Sequence, residues 1–321
     1  MGSVYTIGEA LIDFIPADKG VPLKDVTGFE KAAGGAPFNV ACAVAKLGGS
    51  SGFIGKLGID AFGDFLIETL AGLQVDVRHV RRTSEAGTGL AFVSLSSDGN
   101  RDFSFYRNPS ADMLLTAQEV AEIDFTSGDI LHFCSVDLID APVKEAHRAA
   151  IRAVRQAGGL VSFDPNVRLP LWPSPEACRQ TILEFLPEAQ LVKISDEELS
   201  FITGLEHEED SIASLFAGDV RHVVYTKGAE GAVWYTRSES IHAAGHPVSV
   251  ADTTGAGDAF VGALLYQLHK RGLQADAIGS DDIRQILHFA NAAAALTTTR
   301  KGAVGALPDK EEVLALLAGQ A

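Results

Sequence analysis

Short runs of apolar and β-branched residues alternate along the chain with stretches in which apolar residues recur at helical spacing. The short runs predict buried strands, and they cover residues 4–8, 51–54, 130–133, 160–163, 191–194 and 222–225. The longer stretches predict helices at residues 39–47, 62–73, 142–157, 175–186, 197–203, 258–271, 282–299 and 310–318. Such alternation predicts an α/β fold whose mostly parallel central sheet is flanked by helices on both faces.

Two segments depart from this alternation. Residues 13–34 are punctuated by Pro and Gly and show no helical period, whereas residues 88–107 predict a β-hairpin that turns at Asp98-Gly99. A two-stranded hairpin is only marginally stable alone. We therefore expect it to join a strand within residues 13–29 in a small second sheet.

The stretch Asp252-Thr-Thr-Gly-Ala-Gly-Asp258-Ala-Phe260 carries the chemistry. A predicted strand at residues 246–251 enters it, and a helix leaves it. Backbone N–H groups of Gly255, Ala256 and Gly257 at the helix start form an anion site. A carboxylate beside that site would repel the anion. Asp258 is therefore better suited to accept the proton of a hydroxyl that attacks a bound phosphate. The structural alternative is a helix cap.

This stretch, continued to Leu265, resembles the C-terminal signature of the PfkB (ribokinase-like) carbohydrate kinases. Gly34-Gly-Ala-Pro-Phe-Asn39-Val-Ala, with Gly48-Gly49 and Gly55-Lys-Leu-Gly58-Ile-Asp60, resembles their N-terminal signature. The resemblance runs from about residue 7 to residue 308. It implies a ribokinase-like core of residues 1–12, 35–87 and 108–321 that binds nucleotide and sugar. Residues 13–34 and 88–107 would form a β-lid over the sugar.

The resemblance also implies a sugar site. The matching hydroxyl-binding positions are Asp13, Gly34, Gly35 and Asn39. Residues 105–115, which include Arg107-Asn-Pro-Ser-Ala-Asp112, and residues 164–174 resemble the fructokinase branch. Its substrate-facing residues would be Arg107, Asn166 and Arg168. The second string is shared in part with 2-keto-3-deoxygluconate kinases, and a surface arginine is the structural alternative for Arg107.

For the nucleotide, the resemblance points to a phosphate-contacting turn and to an alanine-rich helix that leaves room for adenine. The matching residues are Thr226, Lys227, Gly228 and Gly231 in the turn and Asn291 on the helix. Lys193, just ahead of Ser195, is a further candidate for contact with phosphate. A plain hairpin turn and close helix packing are the structural alternatives.

The family's metal-linked motif is Asn-x-x-Glu, whereas this chain has Ser195-Asp-Glu-Glu198. The resemblance implies Mg²⁺ at Glu198, with Ser195 as a shorter substitute for the family's Asn. A solvated first helical turn is the alternative, because acidic residues suit that end of a helix. Many members also hold K⁺, for which Asp252, Thr254 and carbonyls of residues 298–302 are the matching positions.

Charge and composition narrow the function classes. A formal net charge of −16 over 321 residues argues against nucleic-acid or anionic-membrane partners. Three scattered cysteines, no signal-peptide pattern and no long apolar run favour a cytoplasmic protein. The absence of a P-loop and of an early G-x-G-x-x-G disfavours P-loop ATPases and dinucleotide-binding dehydrogenases.

The sequence is therefore interpreted as an ATP-dependent fructokinase acting on the 6-hydroxyl of D-fructose. The enzymatic alternatives are 2-keto-3-deoxygluconate kinase and ribokinase. A non-catalytic sugar- or nucleotide-binding protein on this scaffold is the alternative from another class, although it would not need an intact Gly-Ala-Gly-Asp258. The resemblance further implies a homodimer that pairs through the lid.

Overall fold

The computed structural model describes residues 2–16, 20–95, 101–272 and 278–319. Thirteen strands are described: β1 (Val4–Ile7), β2 (Leu11–Pro16), β3 (Phe29–Gly34), β4 (Ser51–Gly58), β5 (Val80–Thr83), β6 (Gly89–Leu95), β7 (Arg101–Tyr106), β8 (Ile130–Cys134), β9 (Leu160–Asp164), β10 (Leu191–Ser195), β11 (His222–Thr226), β12 (Gly231–Tyr235) and β13 (Ser240–Ala244). The α-helices of the described chain are α1 (Ala36–Lys46), α2 (Ala61–Gly72), α3 (Ala117–Val120), α4 (Pro142–Gln156), α5 (Pro175–Phe185), α6 (Asp196–Thr203), α7 (Glu208–Ser214), α8 (Ala256–Arg271), α9 (Ser280–Thr298) and α10 (Lys310–Leu317).

Nine strands form one sheet in the order β13-β12-β11-β10-β9-β8-β1-β4-β5. The pairs from β5 to β11 are parallel, while β12 and β13 extend the sheet antiparallel. All six predicted strands lie in the parallel part, which confirms the α/β prediction. Because parallel strands end on the same side, the loops after β1, β8, β9, β10 and β11 share one edge of the sheet.

Helices cover both faces of this sheet. Neighbouring residues of β8 show the two faces: Leu131 joins a core with α4 and α5, whereas Ile130 joins one with α1, α8 and α9. These strands are buried on both sides, so their sequences are continuously apolar rather than alternating. No helix of the described chain is both long and apolar enough to cross a membrane.

A second, four-stranded sheet has the order β3-β2-β6-β7. It confirms the predicted small sheet. Strands β6 and β7 pair antiparallel, and β2 joins them through a parallel pairing with β6. The predicted turn at 96–100 lies outside the described residues. The small sheet includes Leu11 and Ile12, which the sequence assigned to the core, and the division of the chain into core and lid stays a prediction.

Two sequence expectations need correction. Residues 246–251 form no strand. The N–H groups of Ala251 and Asp252 instead donate to the Thr298 carbonyl, so this segment is a loop fixed to the end of α9. The sequence analysis also missed β5, α3, α7 and the antiparallel pair β12–β13. Strand β13 is short, alternates exposed and buried residues, and contains alanines, which have low strand propensity.

Candidate active site

The residues of the predicted anion site lie at the start of α8. Gly255 precedes the helix in the left-handed conformation, with φ of 74°. A β-carbon there would lie 3.0 Å from the Cα of Ala303, so glycine is required for both conformation and space. Helix α8 is 16 residues long, and its first N–H groups give the turn a positive end.

Asp258 is buried in the first turn of α8 and makes no capping hydrogen bond. The cap alternative is therefore excluded. Its Oδ2 instead accepts a hydrogen bond of 2.8 Å from Nδ2 of Asn39 on α1. The two helices pack closely, since a β-carbon on Gly262 would lie 2.4 Å from that of Ala43.

Burial raises the pKa of Asp258 above the usual aspartate value, while the Asn39 hydrogen bond and the positive charges of Arg168 and Lys193 oppose the rise. A raised pKa makes this carboxylate a stronger base than an exposed one. Asp258 is therefore suited to accept a proton beside the predicted anion site.

Lys193, on β10, is buried and pairs with Asp164 at the end of β9; its Nζ lies 3.1 Å from Oδ2. Burial opposes the charge of Lys193, but Asp164 and Glu198 raise the pKa of the ammonium, so it stays protonated. Its Nζ is 3.8 Å from the place where a β-carbon on Gly257 would stand. A fixed positive charge therefore lies beside the predicted anion site.

Glu198 is buried in the first turn of α6, where it forms a capping box with Ser195. The solvated alternative therefore holds for Asp196 and Glu197, which are exposed, but not for Glu198. Its Oε1 accepts from the Val167 N–H at 2.8 Å, and its Oε2 accepts from the backbone N–H and hydroxyl of Ser195 at 3.0 and 2.7 Å. Burial raises the pKa of Glu198, but Lys193 and these hydrogen bonds outweigh it and lower the pKa below the usual value. The carboxylate is therefore ionised and rigidly held.

These residues surround one cavity of about 420 Å³ at the carboxyl ends of β9 and β10. Residues that were predicted for the site from separate parts of the sequence therefore line the same cavity. Its lining includes Asn166, Arg168, Lys193, Ser195, Glu198, Thr254, Gly255, Gly257 and Asp258.

The predicted sugar residues of the N-terminal motif lie together. A β-carbon on Gly34 would stand 2.2 Å from Oδ2 of Asp13, and one on Gly35, which has φ of 107°, would stand 2.5 Å from the Glu9 carbonyl oxygen. Position 35 therefore requires glycine, whereas a side chain at position 34 would displace the Asp13 carboxylate. The Oδ1 atoms of Asn39 and Asn166 are buried and accept no hydrogen bond from the described residues, so they suit hydroxyl donors.

Arg107 is buried, which excludes the surface alternative. Its Nη2 donates to carboxylate oxygens of both Asp112 and Asp137, and it does not line the cavity described above. Asp112 follows Arg107 in the fructokinase-like string, and Asp137 follows β8. Arg107 thus joins the end of lid strand β7 to the central sheet, and its contact with sugar stays a prediction.

The predicted nucleotide turn connects β11 to β12 as a hairpin at the same edge of the sheet. Gly231, with φ of 101°, permits close contact with β13, since a β-carbon there would lie 2.2 Å from the Ala243 carbonyl oxygen. Lys227 pairs with Glu208 at 2.8 Å, and Thr226 donates to the Ile194 carbonyl. Gly228 has φ of 52°.

Asn291 uses its side-chain amide to fasten α9 to β13, since Nδ2 donates to the carbonyls of Ala243 and Ala244 at 2.9 and 3.1 Å. Of its alanine neighbours, Ala290, Ala292 and Ala293 are buried in the core, whereas Ala294 and Ala295 are only partly buried.

Two regions, around Glu198 and around Asp252, carry oxygen atoms suited to binding a cation. Glu198 is ionised and lines the cavity, which suits Mg²⁺ held mainly by water and phosphate oxygens. Asp252 fixes the second region: its Oδ1 accepts from the N–H and hydroxyl of Thr254, and its Oδ2 accepts from the Gly302 N–H at 3.0 Å. The loop at 252–254 and the segment at 298–302 are therefore adjacent. No cluster of three or more His, Cys, Asp or Glu that could hold a metal occurs in the described ranges.

The sequence analysis did not predict that Glu9, Asp137 and Asp164 lie near the candidate site at the carboxyl edge of the sheet. A usable signal was present, because each lies at or just after the carboxyl end of a predicted parallel strand.

A buried carboxylate beside a helix-start anion site, on this α/β fold, is the arrangement of a phosphotransferase with an alcohol acceptor, and the comparisons with known proteins agree. The model of the pfkB family carbohydrate kinases matches residues 1–310. Fructokinase-2 of Zea mays is 47% identical over 308 residues, which cover 95% of this chain and 91% of that protein. The chain belongs to the pfkB family of carbohydrate kinases.

Solved structures give the same result. The fructokinase with bound ATP from Xylella fastidiosa matches with a TM-score of 0.89 and 38% identity, covering 99% of this chain and 98% of that one. The fructokinase from Vibrio cholerae O395 with fructose, ADP and calcium matches with a TM-score of 0.88 and 38% identity, covering 99% of each chain.

Proposed function

We propose that this protein is an ATP-dependent fructokinase that transfers the γ-phosphate of ATP to the 6-hydroxyl of D-fructose. The observation that carries the proposal is the buried Asp258 carboxylate, held by Asn39 directly beside the Gly255–Gly257 turn. The similarity to fructokinases along nearly the whole chain supports the choice of substrate.

In this mechanism Asp258 accepts the proton of the attacking hydroxyl as the phosphoryl group is transferred. The N–H groups of Gly255, Ala256 and Gly257, with the ammonium of Lys193, stabilise the negative charge on the transferring group. Because the transition state of phosphoryl transfer is loose, position and electrostatics contribute more than basicity.

Sugar binding is assigned to Asp13, Gly34, Gly35, Asn39, Asn166 and Arg168, with Arg107 supporting the lid side. For the nucleotide we propose Lys193, Thr226, Lys227, Gly228, Gly231 and Asn291. Mg²⁺ would be held through Glu198 and the phosphates, and it would neutralise phosphate charge in a protein of net charge −16. K⁺ near Asp252 and Thr254 is a further proposal.

The buried ion triad favours fructose over 2-keto-3-deoxygluconate. Arg107 would be a partner for a substrate carboxylate, but Asp112 and Asp137 already engage it. An acidic sugar would have to compete with these two side chains for the guanidinium. Ribokinase activity stays the second alternative within the family.

The small sheet is proposed as a lid that covers the sugar and excludes water from the transferring phosphate. This assigns residues 13–34 and 88–107 to the lid and the rest to the core. One face of the sheet carries an aromatic cluster in which Phe14 and Phe92 stack with centroids 4.8 Å apart and Phe92 contacts Tyr106, which is 65% exposed. That partly exposed apolar face suits homodimer formation through the lid. A cytoplasmic location completes the proposal.

The test is an assay of ADP release with fructose, 2-keto-3-deoxygluconate and ribose as acceptors, followed by identification of the phosphorylated carbon by NMR. Fructose 6-phosphate as the main product is expected. Binding of sugar or ATP without ADP release in the presence of any of the three sugars would favour the non-catalytic alternative.

A further inference from the structure

Glu9 is a buried carboxylate that the mechanism above does not use. It follows β1 at the carboxyl edge of the sheet and is 3% exposed. Its Oε1 accepts the Ala36 N–H at 2.9 Å, while its Oε2 is buried and accepts no hydrogen bond from the described residues. A buried carboxylate oxygen without a hydrogen-bond donor is unfavourable, so the presence of Glu9 here requires an explanation.

The bond to Ala36 lies at the first residue of α1. Helix N-termini have N–H groups without partners inside the helix. Here the carboxylate of Glu9, which follows β1, accepts a hydrogen bond from one of them. The Gly35 backbone also lies against Glu9, since a β-carbon on Gly35 would come within 2.5 Å of the Glu9 carbonyl oxygen. Glu9 therefore fixes both the position and the direction of the first turn of α1.

The first turn of α1 carries Asn39, the hydrogen-bond partner of the proposed base Asp258. The Asn39 N–H closes the first helical hydrogen bond, to the Gly35 carbonyl, at 2.9 Å. From the same residue, Nδ2 reaches Asp258 on α8 at 2.8 Å. A shift of the first turn by a fraction of an ångström would therefore change the contact of Asn39 with Asp258.

We propose that Glu9 is a positioning residue for Asp258, because its carboxylate holds the first turn of α1 and thereby keeps the Asn39 amide on the base. The proposal uses the proposed function only to name Asp258 as the base. Burial raises the pKa of Glu9 to about 7, while the positive charge of Arg107 and the hydrogen bond from Ala36 oppose the rise.

The direct test follows Asp258 itself in the full-length protein. With ¹³C-labelled aspartate carboxyls, and Asp258→Asn to identify the resonance, the titration of Asp258 is compared in wild type, Glu9→Ala and Glu9→Gln. A hydrogen bond from Asn39 lowers the pKa of Asp258, so loosening it in Glu9→Ala should move the titration to higher pH. Glu9→Gln keeps an acceptor for the Ala36 N–H and should titrate like wild type.

Kinetics give a second readout. Glu9→Ala should lower kcat about 10- to 100-fold, the scale of a misplaced catalytic group, while the KM for ATP changes less than about two-fold. Glu9→Gln should restore most of kcat, and Glu68→Ala, at an exposed glutamate of α2, is the matched control. If Glu9→Ala does not fold, Glu9→Asp replaces it, because the shorter side chain withdraws from Ala36.

An unchanged Asp258 titration in Glu9→Ala would overturn the proposal, and so would a Glu9→Gln variant as impaired as Glu9→Ala, since charge rather than the hydrogen bond would then matter. A wild-type protein that phosphorylates no sugar would contradict the proposed function alone. The titration would still decide whether Glu9 positions Asp258.

Discussion

Asn39 and Asp258 are 219 residues apart, yet their side chains form a hydrogen bond of 2.8 Å in the buried centre of the site. The bond joins the N-terminal motif, predicted to bind sugar, to the C-terminal motif, predicted to catalyse transfer. Because Asn39 Oδ1 remains available as an acceptor, one amide can orient the base and also bind a substrate hydroxyl.

Replacing Asp258 by asparagine should lower kcat by at least about 10²-fold, the scale of a lost general base, and leave nucleotide affinity nearly unchanged. The variant should also melt no lower than wild type. The raised pKa of Asp258 means that folding disfavours its ionised form, so the neutral amide removes a cost. Steady-state kinetics and thermal unfolding measure both effects, with Asp196→Asn as an exposed control. Turnover above about a tenth of wild type would show that Asp258 is not the base.

The pH dependence should report the same carboxylate. With the pKa of Asp258 raised by burial, kcat/KM for sugar should fall on acidification with a midpoint above the usual aspartate value of about 4. Protonation blocks the base, so activity is present above this midpoint and lost below it. Asn39→Ala should move the midpoint upward, since it removes a hydrogen bond to the ionised form. A variant midpoint at or below that of wild type would contradict the assigned role of Asn39.

Glu198→Gln should weaken activation by Mg²⁺ and lower kcat, because the carboxylate is ionised and lines the cavity. Glu197→Gln is the matched control, since Glu197 is adjacent and lines the same cavity but is exposed. Initial rates over a Mg²⁺ titration at fixed ATP distinguish the variants. Equal Mg²⁺ curves for Glu198→Gln and wild type, or full activity in chelator, would remove Glu198 from the metal site.

Arg107→Ala should lower the free energy of unfolding. It leaves Asp112 and Asp137 buried without their partner, and the loss of one member of a buried ion pair costs about 3–5 kcal/mol. Denaturant unfolding measures this change, and Arg81→Ala, at a partly exposed ion pair, is the control. A loss below about 1 kcal/mol, as for surface pairs, would show that the triad is not maintained.

In the folded fraction of Arg107→Ala, the KM for sugar should rise well above any change in the KM for ATP. The ratio of ATP hydrolysis to sugar phosphorylation should also rise, because the end of β7 is no longer fixed to the sheet and water is less well excluded. Equal changes in both KM values without added hydrolysis would mean that the hairpin β6–β7 is not the sugar lid.

Substrate choice provides the last prediction. We expect a higher kcat/KM for fructose than for 2-keto-3-deoxygluconate or ribose, since Nη2 of Arg107 is already engaged by Asp112 and Asp137. Parallel assays of the three sugars at saturating ATP decide it. A higher value for the keto acid would reassign the protein within its family.

Local sequence patterns were sufficient to predict most strands of the parallel sheet, most helices and the glycine turn before Asp258. These features depend on hydrophobic periodicity and on backbone conformations that only glycine adopts readily. The patterns were less informative at the sheet edge: β12 and β13 were missed, and residues 246–251 were wrongly expected to be a strand. There, pairing with neighbouring segments rather than local pattern decides the structure.

Only the tertiary structure shows which side chains are in contact. Asn39 with Asp258, Glu9 with the Ala36 N–H, and Arg107 with Asp137 each join residues on different elements. Whether a polar side chain faces solvent, a substrate or another side chain depends on how helices and strands pack, and periodicity does not encode that packing. Glu198 shows the difference: its sequence suits a solvated helix start, yet packing against the loop at Val167 buries it at the site.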